Sequence, residues 1–168
     1  MQSSLNYALA VAAGAGGPGF EPVMKADYDG DARIDPMAYS KTNGLWMGLL
    51  SEQNYEPQQM SFGGLDYQAG AADFDGDGLA DPTIYNIANG TWWVLESTEN
   101  YQATGFTLGG PGYSAALGDY DGDGRTDPAV YSELDGMWFG WLSGHNYAPF
   151  SVRFGGLNYH PISELIDE

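Results

Sequence analysis

An aspartate-rich loop occurs three times in the chain, at a spacing of 46 residues. Each copy carries Asp at its first, third, fifth and ninth positions and Gly at its fourth, and Pro follows the ninth-position Asp. Glycine permits the tight coiling that brings four carboxylates and the seventh-position carbonyl oxygen to one point. The predicted ligand positions are Asp27, Asp29, Asp31, Arg33 and Asp35, then Asp73, Asp75, Asp77, Leu79 and Asp81, and finally Asp119, Asp121, Asp123, Arg125 and Asp127.

The chemistry of these donors favours one hard cation. Ca²⁺ takes six to eight oxygen ligands in flexible geometry, whereas Mg²⁺ requires a stricter octahedron and Zn²⁺ prefers His or Cys. An EF-hand is excluded, because its twelfth position needs Glu and these loops carry Ala38, Ile84 and Val130 there. The sequence therefore predicts about three Ca²⁺ ions per chain, with each Arg or Leu contributing only its main-chain carbonyl.

The charge balance agrees with bound cations. The 168 residues include 23 acidic and 5 basic side chains, giving a formal charge of −18, and four acids lie in each loop. Like charges held together cost stability, and three divalent ions would bring the total to about −12. Such a polyanion is predicted to bind no nucleic acid, and no apolar run reaches the ~20 residues of a membrane span. Hydrophobic residues make up 43% and aromatic residues 14% of the chain, which is enough to form a folded core.

The elements around the loops read as short β-strands. In the third copy, apolar and aromatic runs cover Tyr113–Tyr120, Pro128–Ser132, Met137–Ser143 and Phe150–Gly155, and a turn lies at Asp135-Gly136. We therefore predict an all-β fold of propeller blades, each a four-stranded antiparallel sheet, with three full 46-residue repeats and one flanking strand at each end.

The chain is predicted to form a single repeat domain over residues 1–168. Its predicted parts are an outer strand of a preceding blade at 1–19, blades at 20–65, 66–111 and 112–157, and the inner strand of a further blade at 158–168. Three blades do not close a ring, so the chain is expected to be part of a larger propeller or to form a homo-oligomer. Two head-to-tail copies would supply six full and two hybrid blades, and three copies would supply nine full blades.

Further predictions concern Ala32 and the tryptophans. Ala32 replaces the glycine found at Gly78 and Gly124, so the first loop is expected to be the weakest if that position is left-handed. The repeated Trp46, Trp92 and Trp138 are predicted to pack between blades. The unrepeated Trp93 and Trp141 are the candidate ligand-stacking residues, with a glycan as the possible ligand.

The loop pattern, together with the segments Phe62-Gly63-Gly64 and Phe154-Gly155-Gly156, resembles the FG-GAP/VCBS repeat family over nearly the whole chain. This resemblance implies calcium-binding blades like those of integrin α-subunit propellers, in which the loop joins the first two strands. It also implies a secreted or cell-surface location, where calcium is abundant. It does not imply a single activity, since a fold hosts many functions.

Three functions remain open at this point. The first is an extracellular module for self-assembly, adhesion or protein interaction, and the second is a calcium-dependent lectin. The third and weaker one is an accessory propeller of a secreted polysaccharide-active enzyme. The chain itself is not expected to be an enzyme, because His145 and His160 are isolated in the sequence and the remaining acids, Asp66, Glu96, Glu99 and Glu133, form no repeated arrangement.

Overall fold

The fold consists of three antiparallel four-stranded sheets, each built from one repeat. The computed structural model describes residues 17–23 and 26–161. In every sheet the order of the strands in space is their order along the chain. Sheet 1 contains β1 (Glu21–Pro22), β2 (Met37–Ser40), β3 (Leu45–Leu50) and β4 (Glu56–Ser61). Sheet 2 contains β5 (Tyr67–Ala72), β6 (Asp81–Asn86), β7 (Thr91–Glu96) and β8 (Gln102–Thr107). Sheet 3 contains β9 (Ser114–Ala115), β10 (Ala129–Ser132), β11 (Met137–Leu142) and β12 (Ala148–Arg153).

The turn between the second and third strands of each sheet explains a repeated glycine. Gly44 has φ = 69°, and a Cβ at this position would lie 2.6 Å from the carbonyl oxygen of Gly63. A side chain is therefore excluded both by the left-handed backbone and by the close approach of the Gly63-Gly64 main chain. The Gly64 N–H donates to the Tyr39 hydroxyl at 2.8 Å, so the repeated Tyr also fixes this approach.

The repeated tryptophans form the centre of the packing between sheets. Trp46 and Trp92 are fully buried, and their indole N–H groups donate to the carbonyl oxygens of Phe62 and Leu108. Trp138 makes the equivalent bond to Phe154 but is only half-buried. The prediction of core packing is thus confirmed for the first two residues, whereas the third lies on an outer surface.

Two hydrophobic clusters join neighbouring sheets. In the first, Tyr39 and Trp46 of sheet 1 pack with Ala69 and Ile84 of sheet 2. The second cluster joins sheets 2 and 3 through the residues at the equivalent positions, among them Tyr85, Trp92, Ala115 and Val130. Sheet 1 therefore packs on sheet 2 in the same way as sheet 2 packs on sheet 3.

Several predicted boundaries need correction. The last strand of the third repeat is Ala148–Arg153 instead of Phe150–Gly155, because the double glycine belongs to the following turn. The first strand of that repeat pairs only over Ser114–Ala115, with an isolated bridge from Gly118 to Asp127. Residues 158–161 form no strand, and the rest of the predicted strand at 158–168 lies outside the described residues, as does most of the one at 1–19.

Two short 3₁₀ helices, Ser97–Glu99 and Ser143–His145, connect the third and fourth strands of sheets 2 and 3. They end at Asn100 and Asn146, which adopt the left-handed conformation, as Asn54 does in sheet 1. Asn tolerates this conformation better than most residues, which explains its recurrence at the turn. No helix within the described ranges is long and apolar enough to cross a bilayer.

Candidate metal centre

Three carboxylates converge in each aspartate loop. The first, third and ninth positions each offer one oxygen, and these oxygens lie within 4.8 Å of one another. Two oxygens that each lie about 2.4 Å from one Ca²⁺ are at most ~4.8 Å apart, so the spacing suits a shared ion of this size. The three groups are Asp27, Asp29 and Asp35, then Asp73, Asp75 and Asp81, and finally Asp119, Asp121 and Asp127.

The ninth-position Asp is buried and ties the loop to the sheet. Asp35 accepts the Tyr28 N–H at 2.9 Å with one oxygen and the Ser51 N–H at 2.8 Å with the other. Asp81 and Asp127 make the equivalent pairs of bonds in the other repeats. The loop after the first strand is therefore fixed to the end of the third strand.

The first-position Asp coils the loop around itself. Asp27 accepts the Gly30 N–H at 2.6 Å and the Ala32 N–H at 2.7 Å. This coil places the sixth residue in the left-handed region, with φ = 63° for Ala32 and 90° for both Gly78 and Gly124. The expected left-handed conformation is confirmed, and Ala32 carries a conformational cost of about 1 kcal/mol that its two glycine counterparts do not.

The fifth-position Asp differs from the other three. Asp31 accepts the Ser51 hydroxyl at 2.6 Å and the Arg33 N–H at 2.9 Å, and its carboxylate lies 3.2 Å from the Arg33 guanidinium. The hydrogen bond from Ser51 lowers the pKa of Asp31. The structure therefore does not bring Asp31, or its counterparts Asp77 and Asp123, into the three-carboxylate groups. The seventh-position carbonyls of Arg33, Leu79 and Arg125 remain predicted ligands.

One buried oxygen in the first loop has no hydrogen-bond partner. The Oδ2 atom of Asp29 accepts the Glu52 N–H at 2.8 Å, but its Oδ1 atom is buried without a partner among the described residues. An unpaired buried carboxylate oxygen is costly, and a cation between Asp27, Asp29 and Asp35 would satisfy it. The donor set therefore fits a divalent ion with a preference for oxygen.

The electrostatics of the second loop point the same way. Burial raises the pKa of Asp81 to about 6, against the opposing effect of the N–H groups of Phe74 and Ser97, and the charges of Asp75 and Asp73 raise it further. The carboxylates of Asp75 and Asp73 thus add to the cost of ionising Asp81 unless a positive charge lies between them.

The serines beside the loops were not among the predicted site residues. Ser51, Ser97 and Ser143 follow the third strand at the same spacing of 46, and each donates its hydroxyl to the fifth-position Asp. The spacing alone was a sufficient signal for them. Each of the two histidines lies beside a carboxylate, since the Nδ1 atom of His145 is 3.0 Å from Asp121 and that of His160 is 2.6 Å from Glu133.

The two candidate stacking residues lie in different surroundings. Trp141 is half-buried against Phe106 in a cleft of about 470 Å³ between sheets 2 and 3, which Tyr147 and Glu96 also line. Burial raises the pKa of Glu96. Trp93 is exposed and does not line this cleft, so the structure does not bring the two tryptophans together.

Comparison of the chain with models of protein families, with curated proteins and with solved structures gives no match.

Proposed function

We propose that each loop binds one Ca²⁺ and that the three sheets are blades of a propeller, so that the chain is a calcium-stabilised extracellular module for association with other proteins. The unpaired Oδ1 atom of Asp29, inside a group of three carboxylates, is the observation that carries the calcium proposal. The regular stacking of sheet on sheet through repeated clusters supports the blade interpretation.

Calcium suits the loops better than other common cations. The three grouped carboxylates supply oxygen and no nitrogen or sulfur, which excludes the donor sets that Zn²⁺ prefers. A position-seven carbonyl, water and a second carboxylate oxygen would complete six to eight ligands in irregular geometry, which Ca²⁺ accepts and Mg²⁺ does not. An exposed loop of this kind is loaded most readily where calcium is abundant, so the proposal includes a location outside the cell or on its surface.

The ion would act on stability through the ninth-position Asp. Asp35 connects the loop to the Ser51 N–H at the end of β3, and a cation held by Asp27, Asp29 and Asp35 would fix the first strand, the loop and the third strand together. It would also remove the repulsion between the three carboxylates. This role is structural, and it requires no chemical step.

Calcium titration by calorimetry tests the proposal. We expect three ions per chain and a much weaker response to Mg²⁺. The variant Asp29→Asn, which removes one charge from the first group, should reduce the stoichiometry to two. Asp66→Asn is the matched control, because Asp66 is exposed and lies outside every group, and it should still bind three ions. A chain that binds no calcium, or three ions in both variants, would contradict the assignment.

A second candidate function is carbohydrate binding in the cleft at Trp141. Its volume of about 470 Å³ is in the range of small-ligand sites, and Trp141 and Tyr147 offer aromatic surface beside the carboxyl group of Glu96. A glycan array read with and without calcium tests this function. Binding that Trp141→Ala abolishes and Trp93→Ala leaves intact would support a lectin, whereas an array without any signal would leave the association module alone. The accessory propeller of a larger secreted enzyme is a third proposal with no separate support from the geometry.

A further inference from the structure

Neighbouring sheets are joined by a backbone hydrogen bond between their aspartate loops. The Ala80 N–H of the second loop donates to the Asp27 carbonyl of the first at 2.7 Å. The Thr126 N–H of the third loop donates to the Asp73 carbonyl of the second at 2.6 Å. The eighth residue of one loop thus binds the first residue of the loop before it in both of these contacts.

The seventh residue of each following loop also contacts the loop before it. The Leu79 side chain lies 3.1 Å from the position that a Cβ on Gly30 would occupy, and the Arg125 side chain lies 2.8 Å from the same position on Gly76. Each fourth-position glycine therefore leaves space that the following loop fills. The contact between sheets repeats once per 46 residues.

At the two ends of the described chain the same groups lack these partners. The Asp119 carbonyl accepts no main-chain hydrogen bond within the described residues, and no described atom lies within 4 Å of the position that a Cβ on Gly122 would occupy. On the first loop, Ile34 is the counterpart of Ala80, and its N–H donates no main-chain hydrogen bond to a described residue. Ile34 is 57% exposed where Ala80 is 5% exposed.

We name the outer surface of sheet 3 the trailing face and define it by Tyr120, Trp138, Val152 and Phe154. These residues are more exposed than their counterparts in the other repeats, which a following sheet covers: Trp138 is half-buried and the other three are exposed. Tyr120 is 43% exposed, against 8% for both Tyr28 and Phe74. Phe154 is 75% exposed, against 3% for Leu108.

The loop between β1 and β2 shows the complementary pattern. Its exposed residues Arg33, Ile34 and Pro36 form what we name the leading face. Pro36 is exposed, although its counterparts Pro82 and Pro128 are buried. The Arg33 side chain is 65% exposed. Within the described residues, the leading and trailing faces therefore present the two halves of a loop contact that is formed twice between the sheets.

We infer that the trailing face of one copy binds the leading face of a second copy, head to tail, by the contact that joins sheet 1 to sheet 2 and sheet 2 to sheet 3. In this contact the Ile34 N–H of the second copy donates to the Asp119 carbonyl, and its Arg33 covers Gly122. The inference rests on the proposed association module and names its partner. Because the two faces differ, the contact is heterologous and leads to a ring where the rotation closes.

Charge makes this association depend on calcium. Each copy carries a formal charge of −18, and the contact places two aspartate loops side by side. Bound divalent ions lower the repulsion between the loops, and Arg33 adds a positive charge next to the third loop. Association is therefore expected with calcium and not after chelation.

Complementation between two variants tests the inference by sedimentation velocity in calcium. Phe154→Asp damages only the trailing face and Ile34→Asp only the leading face, so each variant alone should associate at least about tenfold more weakly than the parent chain. Their equimolar mixture retains one intact pair of faces and should form a species of two chains. Leu134→Asp is the matched control, because Leu134 is exposed and its counterparts Thr42 and Ala88 are exposed as well.

The outcomes separate the inference from the proposed function. A parent chain that binds three calcium ions and still sediments as a single chain would overturn the head-to-tail contact and leave the calcium proposal intact. A mixture no more associated than either variant alone would also overturn it. Loss of self-association in Leu134→Asp equal to that in Phe154→Asp would show a different interface and have the same consequence.

Discussion

The carboxylate of Asp35 accepts the main-chain N–H of Ser51 at 2.8 Å, which joins the aspartate loop to the end of the third strand across 16 residues of sequence. The bond is buried and recurs in all three repeats. It places the ninth-position Asp in two roles at once, as a member of the candidate metal group and as a tether of the sheet. A comparison of two substitutions at Asp35, one that removes the acceptor oxygens and one that keeps an acceptor, therefore separates metal binding from folding.

Two substitutions of Asp35 are expected to differ in stability. Asp35→Ala leaves the buried N–H groups of Tyr28 and Ser51 without acceptors, which should lower the free energy of unfolding by about 2–4 kcal/mol even without calcium. Asp35→Asn keeps one acceptor oxygen and should lose less, although it should weaken calcium binding in the first loop. Urea unfolding of the calcium-free proteins measures the difference. Equal losses in both variants would show that the tether contributes little.

The left-handed sixth position gives a pair of opposite predictions. Ala32→Gly should raise the free energy of unfolding by about 1 kcal/mol, because φ = 63° is unfavourable for Ala. Gly78→Ala should lower it by a similar amount, since Gly78 has φ = 90° and an added Cβ meets no other atom, so that only the backbone conformation changes. Thermal melts should show a shift of about 2–4 °C in each direction. Shifts of the same sign would contradict the argument.

Much of the fold could be predicted because the signals are local and repeated. Strand and turn residues at a fixed spacing indicated the three antiparallel sheets, and the loop pattern indicated the carboxylate groups. The half-buried state of Trp138 could not be predicted, because its sequence surroundings match those of Trp46 and only the absence of a covering sheet in the described chain distinguishes it. The spacing of 46 marks Ser51 as part of the repeat, but its hydrogen bond to Asp31, 20 residues away, depends on the folded sheet, which loop composition does not indicate.

Chelation should produce a large loss of thermal stability. A site that is saturated at 100 times its dissociation constant stabilises the folded state by about 2.7 kcal/mol, so even one occupied loop corresponds to about 5–10 °C in a chain of this size. We expect the melting temperature to fall by at least this amount after EGTA treatment and to recover with Ca²⁺. The control is an equal concentration of Mg²⁺, which should restore little. An unchanged melt on chelation would remove the structural role of the metal.

The calcium-free protein should become less stable as the pH rises from about 4 to 6. Burial raises the pKa of Asp81 to about 6 in the folded chain, above the value of about 3.9 in an unfolded one. The folded state then holds the proton more tightly, so this contribution is fully present below pH 4 and is lost as the pH passes 6. Carboxyls with lowered pKa values, such as Asp123 beside the Arg125 N–H, contribute a stabilisation that is fully present above about pH 4 and is lost only as the pH falls further, so it stays constant across this range.

Asp81→Asn isolates this effect, because it removes the titrating group and keeps an acceptor oxygen. The parent chain, stripped of calcium and exchanged into buffers at pH 5 and pH 7, should be about 1–2 kcal/mol more stable at pH 5, and the variant should show a smaller difference. Glu96, whose pKa burial also raises, should contribute in the same direction in both proteins. Saturating calcium should reverse the sign, since the ion stabilises the ionised carboxylates and protons compete with it. A calcium-loaded protein that is also more stable at pH 5 than at pH 7 would mean that the cation is not held by these carboxylates.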